Sequence, residues 1–176
     1  MSLKSSATRY GSVAITMHWL TAVLILALFA TGLLAAGQAD PAAQLALVRF
    51  HVPLGTATLV LTLLRVVWWW VADRRPGLPS KQPGWQKFMA HAVHVALYAV
   101  ILLLAASGIG TLILSGALPA IIGGATLPDF DTVAPRLVHG LASRLMLALL
   151  AVHIGAALWH QFVRRDHLLA RMGLGN

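Results

Sequence analysis

The sequence predicts an all-α fold, an integral membrane four-helix bundle with both termini in the cytoplasm. Three observations predict it. The 176 residues are 59% hydrophobic and only 10% charged, with a mean hydropathy of +0.79, whereas soluble domains are roughly one quarter charged. The apolar residues gather in four runs, each able to cross about 30 Å of hydrocarbon at about 1.5 Å per residue. The basic residues cluster on one side of those runs, at both termini and in the middle connection.

The four spans are expected near 13–36, 50–71, 90–115 and 137–162, in a single domain covering 1–176. The first follows a short segment bearing Lys4 and Arg9 and has no clear signal-peptidase site, so it reads as an uncleaved span. Of the connections, 37–49 is short with Asp40-Pro41, 72–89 is rich in proline and charge, and 116–136 is glycine-rich and ends in LPDFDTVAP. Lys4 and Arg9, then Arg74, Arg75, Lys81 and Lys87, then Arg164, Arg165 and Arg171 mark one side. The other holds only Arg49 and Arg136, beside Asp40, Asp129 and Asp131. Positive loops stay inside, which places both termini in the cytoplasm.

The 13 basic residues against 5 acidic ones leave a formal charge of +8. Because they flank apolar runs, they point to anionic lipid headgroups rather than nucleic acid. The chain has no cysteine, which excludes disulfides, iron–sulfur clusters and covalently attached c-type haem. Any metal must use His, Met or oxygen ligands. Trp68, Trp69, Trp70, Trp85 and Trp159 lie near the cytoplasmic ends of spans and read as interfacial anchors. Gly55, Gly108, Gly110 and Gly155 serve either close helix packing or room for a flat macrocycle.

Seven of the eight histidines lie in or at the edge of spans, where a polar side chain is costly without a partner or a metal. His139 and His153 both belong to the fourth span. At about 100° per residue the interval between them is close to four full turns, so both project from one face, about 21 Å apart along the axis. One helix thus offers two ligands at two depths. His51 follows Arg49 and His139 follows Arg136 by a few residues, so both lie near the outer surface; His18 and His153 lie deeper, nearer the cytoplasm. Depth therefore pairs His51 with His139 and His18 with His153. Two neutral imidazoles from facing helices are what low-spin haem b needs in a bundle core. The alternative is a polar network, for which the spans supply few other polar groups.

These residues also resemble a known family. Ile15-Thr16-Met17-His18-Trp19-Leu20, Arg49-Phe50-His51-Val52 with Gly55, His91-Ala92-Val93-His94 followed by Tyr98, and the regularly spaced His139, His153 and His160 resemble bacterial cytochrome b561 over nearly the whole chain. That family is similar in turn to the cytochrome b subunits of nickel–iron hydrogenases and formate dehydrogenases. The resemblance implies a multi-pass protein of the bacterial inner membrane with two haem b: His18 and His153 would hold the iron on the cytoplasmic side, His51 and His139 the iron on the periplasmic side. It also implies a ubiquinone site at the cytoplasmic end, matching His160, Lys81 and Thr16. A plain topology charge at Lys81 and a hydroxyl bonded to its own helix at Thr16 remain the alternatives.

Arg65 shares a helix face with His51 and points to the level of His18 and His153; it reads as a partner for a haem propionate or as an arginine reaching for headgroups. Arg144, five residues after His139, is assigned to a propionate or a carbonyl. His91 and His94 share a face and are spare ligands or quinone-site lining. Arg49 and Arg136 are placed to draw a small anion toward the outer haem, with the three outer aspartates acting against them. Relatives that the chain resembles act as superoxide oxidases, so the leading expectation is an oxidoreductase passing electrons from periplasmic superoxide to ubiquinone. Its rivals are an anchor subunit serving a partner dehydrogenase or hydrogenase, and a histidine-lined transporter, which lacks intramembrane carboxylates.

Overall fold

Each of the four apolar runs folds as one long helix: α1 (Ser12–Ala36), α2 (Pro41–Val71), α3 (Gly84–Leu114) and α5 (Ala134–Trp159), with a short α4 (Leu118–Gly123) after α3. This computed structural model describes residues 2–77 and 82–175. All four long helices are apolar and long enough to cross a membrane. Among the described residues there is no strand.

The helices overrun the predicted spans where local chemistry lets them. α2 begins at Pro41 rather than near 50, because the Asp40 carboxylate accepts the free amides of Ala42 (3.2 Å) and Ala43 (3.3 Å) and Pro41 supplies a first-turn residue without an amide to satisfy. Residues 41–49, expected as loop, are therefore helical. α3 likewise begins directly after Pro83, whose φ of −59° already suits a helix entrance. The connection 116–136 contains α4 and a 3₁₀ turn over Phe130–Thr132. Beyond α5 the backbone widens into a single π turn, His160–Arg164, and closes with a 3₁₀ turn, Leu168–Met172.

α1 packs along α2, and α3 along α5; between the two helical hairpins the approach is much sparser. A small core of Val100, Ala142 and Met146 sits inside the second hairpin, with Phe29 of α1 reaching across to it. Most large apolar side chains, among them Leu26, Ile113 and Phe162, face outward, as expected when the solvent is lipid rather than water. The buried hydroxyls Thr21, Thr58, Thr62, Ser107 and Thr111 each donate to a carbonyl one turn back on their own helix, at 2.6 to 2.8 Å.

Both termini lie at the same end, laced to the exit of α2. The Arg171 guanidinium donates to the Thr8 carbonyl (2.9 Å) and the Gly77 carbonyl (2.7 Å), and the Trp19 indole donates to the Met172 carbonyl (3.0 Å). The Asp73 carboxylate accepts from the Ser5 amide (3.0 Å), the Ser5 hydroxyl (2.7 Å), the Trp68 indole (3.3 Å) and the Arg74 amide (2.8 Å). Partial burial pushes this carboxyl up, but the Ser5, Arg74 and Trp68 bonds outweigh it and hold it below the usual carboxylate range. A depressed carboxyl contributes stability above its unfolded-state pKa and loses it as pH falls through the folded value. Asp73→Ala is therefore expected to free the N-terminal segment. Limited trypsin digestion at neutral pH should cut at Lys4 and Arg9 markedly faster in the variant than in the wild type.

Candidate functional site

Four histidine rings face one another in two pairs across the gap between the hairpins. His18 (α1) and His153 (α5) have ring centres 6.2 Å apart, and so do His51 (α2) and His139 (α5). A metal midway between two imidazole nitrogens, at about 2 Å from each, sets the ring centres roughly 6 Å apart. Both pairs have that spacing, and each takes one ring from each hairpin, where the hairpins approach only sparsely. The residues present fit a pair of b-type haems.

The pair farther from the termini is held by a repeated device. The His51 Nδ1 lies 3.0 Å from the Thr31 hydroxyl, and the His139 Nδ1 lies 3.2 Å from the Ser107 hydroxyl and 3.0 Å from the Leu104 carbonyl. Each hydroxyl is followed in sequence by a glycine lying against the same ring. A Cβ on Gly32 would meet His51 Cε1 at 3.1 Å, and one on Gly108 would meet His139 Cε1 at 3.4 Å. Gly108 thus makes room for a ligand ring rather than for helix packing alone. By contrast a Cβ on Gly110 would meet Pro135 of α5 at 3.2 Å, one on Gly55 would touch Leu28 at 3.9 Å, and one on Gly155 would meet nothing.

The device belongs to an internal repeat of the hairpins. His18, Ile25, Leu28, Thr31 and Gly32 of α1 correspond, at one constant offset in sequence, to His94, Ile101, Leu104, Ser107 and Gly108 of α3. His51, Thr58 and Arg65 of α2 correspond in the same way to His139, Met146 and His153 of α5. At the far level the repeat places His51 opposite its counterpart His139. At the terminal level the four positions are His18, Arg65, His94 and His153. Met146, only 1% exposed, sits midway in sequence between the two α5 ligands. It fills the layer between the two levels together with Phe29 and Val100.

The terminal level is less symmetric. The Arg65 guanidinium lies 3.5 Å from His18 Nδ1 and over the Tyr98 ring at 5.8 Å, while its Nε is buried without a partner. A half-buried guanidinium with an unpartnered Nε–H at the level of a histidine pair fits an anionic carboxylate such as a haem propionate. His94 stands 5.3 Å from His153, centre to centre, and its Nδ1 donates to the Ala90 carbonyl in its own helix (2.6 Å). That spacing falls short of the 6.2 Å shared by the other two pairs, so His94 packs beside His153. His91 lies exposed one turn away.

His160 is buried on the π turn after α5, and its Nδ1 meets the Asp166 carboxylate at 2.5 Å. π turns concentrate at functional sites. Asp166 is brought back by Arg165 and His167, both in left-handed backbone conformations with φ of 54° and 55°, and by its amide, which donates to the His160 carbonyl (3.2 Å). Thr16 is exposed on α1, two residues before His18, and Lys81 lies outside the described residues. Arg144 is exposed and lies roughly 140° around the helix from His139. At the far end the Arg49 guanidinium donates to the Ile121 (2.6 Å) and Ile122 (3.3 Å) carbonyls, tying α4 to α2, and Arg136 lies 3.6 Å from Asp131.

Sequence reasoning does not single out Thr31, Gly32, Ser107 or Asp166. The first three are signalled by the segment Leu-x-Ala-Thr-Gly at 28–32, echoed by Leu-x-Ala-Ser-Gly at 104–108. Asp166 leaves no signal, because its separation from His160 is not a helical neighbour spacing.

A family model described as prokaryotic cytochrome b561 matches residues 9–175. "Cytochrome b561 homolog 2" of Escherichia coli is 28% identical over 98% of this chain and 95% of the relative. "Cytochrome b562" of Cereibacter sphaeroides is 31% identical over 93% and 94%, and the "Probable superoxide oxidase CybB" of Yersinia pestis is 27% identical over 93% and 95%.

The glycine contrast can be tested directly. Gly108→Val is expected to lower the haem content of the purified protein by crowding the His139 ring, because the added Cβ already reaches van der Waals contact with that ring before the further methyls. Gly155→Ala, in open space on the same bundle, should leave haem content unchanged.

Proposed function

The chain belongs to the prokaryotic cytochrome b561 family of haem b membrane electron-transfer proteins, and from that premise we propose that it binds two haems and oxidises superoxide outside the membrane while reducing ubiquinone at the cytoplasmic end. The observation that carries the reading is the stacking of two histidine pairs with equal ring separation at two depths of one bundle. When bound, haem b supplies reversible one-electron carriage, and the protein supplies ligation, insulation and access.

In this reading His51 and His139 hold the outer haem, and His18 and His153 hold the inner one. The Arg65 guanidinium takes a propionate of the inner haem. Met146 and Phe29 keep the layer between the levels apolar and filled, so water is excluded from it. The +8 charge and its concentration at the terminal end orient that end to the cytoplasm, in the inner membrane of a bacterium. Arg49, whose hydrogen bonds go to neutral carbonyls, keeps its positive charge at the outer rim, where it draws a small anion. Asp131 offsets part of the charge of Arg136.

Two superoxide anions each give up one electron and leave as dioxygen; ubiquinone takes the two electrons and two protons to become ubiquinol. His160 is the proton-handling group at the quinone: Asp166 holds its Nδ1, which leaves Nε2 to face a quinone oxygen. Thr16 and Lys81 complete this site as hydroxyl and cation. The similarity to a relative whose name is a probable superoxide oxidase supports superoxide as the donor.

The histidine pairs are separable. His139→Ala should lose the outer haem and keep much of the inner one, and His18→Ala should do the reverse; equal loss of both from each variant would contradict the pairing. For the reaction, purified protein in lipid vesicles should turn over superoxide and ubiquinone together. Reduction of the haems by other donors but not by superoxide would rule out superoxide as substrate. His160→Ala should leave haem reduction by superoxide unchanged and weaken ubiquinone binding about five- to 150-fold, the loss of one hydrogen-bonding group worth roughly 1–3 kcal/mol. Normal reoxidation by ubiquinone in stopped-flow mixing would remove His160 from the quinone site.

A further inference from the structure

We propose that Thr31 and Ser107 are positioning residues for the outer haem, each fixing which nitrogen of its histidine is free to bind iron. The inference rests on the di-haem reading above and concerns residues that do not touch the iron.

An imidazole can place its single proton on either nitrogen, and only the bare nitrogen ligates. In a membrane helix, the hydroxyl of Thr31 donates its proton to the Ala27 carbonyl at 2.8 Å, and that of Ser107 to the Leu103 carbonyl at 2.7 Å. With its proton committed, each oxygen is left with lone pairs and can only accept. The Nδ1 atoms that meet them at 3.0 Å and 3.2 Å must therefore carry the histidine proton. The Leu104 carbonyl at 3.0 Å from His139 Nδ1 enforces the same state, since a carbonyl never donates. Nε2 is thereby left bare on both rings. Gly32 and Gly108 let each hydroxyl-bearing turn come up against its ring.

Two features set this apart from incidental packing. The arrangement is made twice, on α1 for His51 and on α3 for His139, at positions that correspond in the internal repeat. It is also confined to one level. Among the described residues, neither His18 nor His153 meets a side-chain hydroxyl, and the neighbour of His18 Nδ1 is the Arg65 guanidinium. A hydrogen bond from Nδ1–H raises the basicity of the ligating nitrogen and favours ferric iron. These bonds would lower the potential of a haem held by His51 and His139 relative to the same site without them.

The test is redox potentiometry of the purified holoprotein, wild type against Thr31→Val and Ser107→Ala. The variants are expected to keep two haems, to raise the midpoint potential of one haem and not the other, and to release that haem about 10–100-fold faster. Thr31→Ser and Ser107→Thr, which keep the hydroxyl, should restore both values. Haem loading lost in Thr31→Val and regained in Thr31→Ser would equally support the proposal. Unmoved potentials overturn it, as does a shift shared by both haems or one that the hydroxyl-retaining variants fail to reverse. A wild-type protein with a single haem would instead defeat the di-haem reading, before any variant is compared.

Discussion

An imidazole at bilayer depth must be given a partner, because hydrocarbon offers none and an unsatisfied polar group there costs several kcal/mol. This chain meets that demand for four histidines by turning each ring toward the gap between two helical hairpins. The consequences spread through the fold. The hairpins pack closely within themselves and sparsely against each other, and the ligand faces recur every four turns of helix. Met146 and Phe29 seal the layer that separates the two levels.

The internal repeat explains why the two levels differ. At the far level the two hairpins contribute corresponding residues, with histidine, hydroxyl and glycine on each side. At the terminal level α2 places Arg65 where α5 places His153, so the cation and the ligand share what would otherwise be equivalent positions. His94 corresponds to His18 in the repeat, and it packs against His153. One repeated pattern thus yields two histidine pairs with different neighbours, hydroxyls at one level and a guanidinium at the other.

Much of this is legible in the sequence, and the physical reason is the regularity of a membrane helix. Once the spans are known, the constant helical pitch fixes both face and depth. The pairs His18/His153 and His51/His139 follow from spacing and flanking charge, and the structure brings those rings together. The illegible parts are those where a residue acts through a local geometry that its type does not announce. A threonine or serine in a span normally bonds its own helix, so Thr31 and Ser107 look ordinary until a ring is seen against them. The contact of His160 with Asp166 depends on a π turn and two left-handed residues, which periodicity does not encode. Arg49 reads in the sequence as an anion attractor and serves first to fasten α4. The early start of α2 depends on the Asp40 cap, a signal that is present but lies outside the apolar run.

The claim on which the rest stands is that both gaps between facing histidines hold haem. The ratio of haem b to polypeptide in the purified protein, measured from a reduced pyridine haemochrome spectrum after growth with ample haem, tests it most directly. Two haems per chain is the result expected from two pairs with 6.2 Å ring separation; a ratio that saturates at one would contradict it.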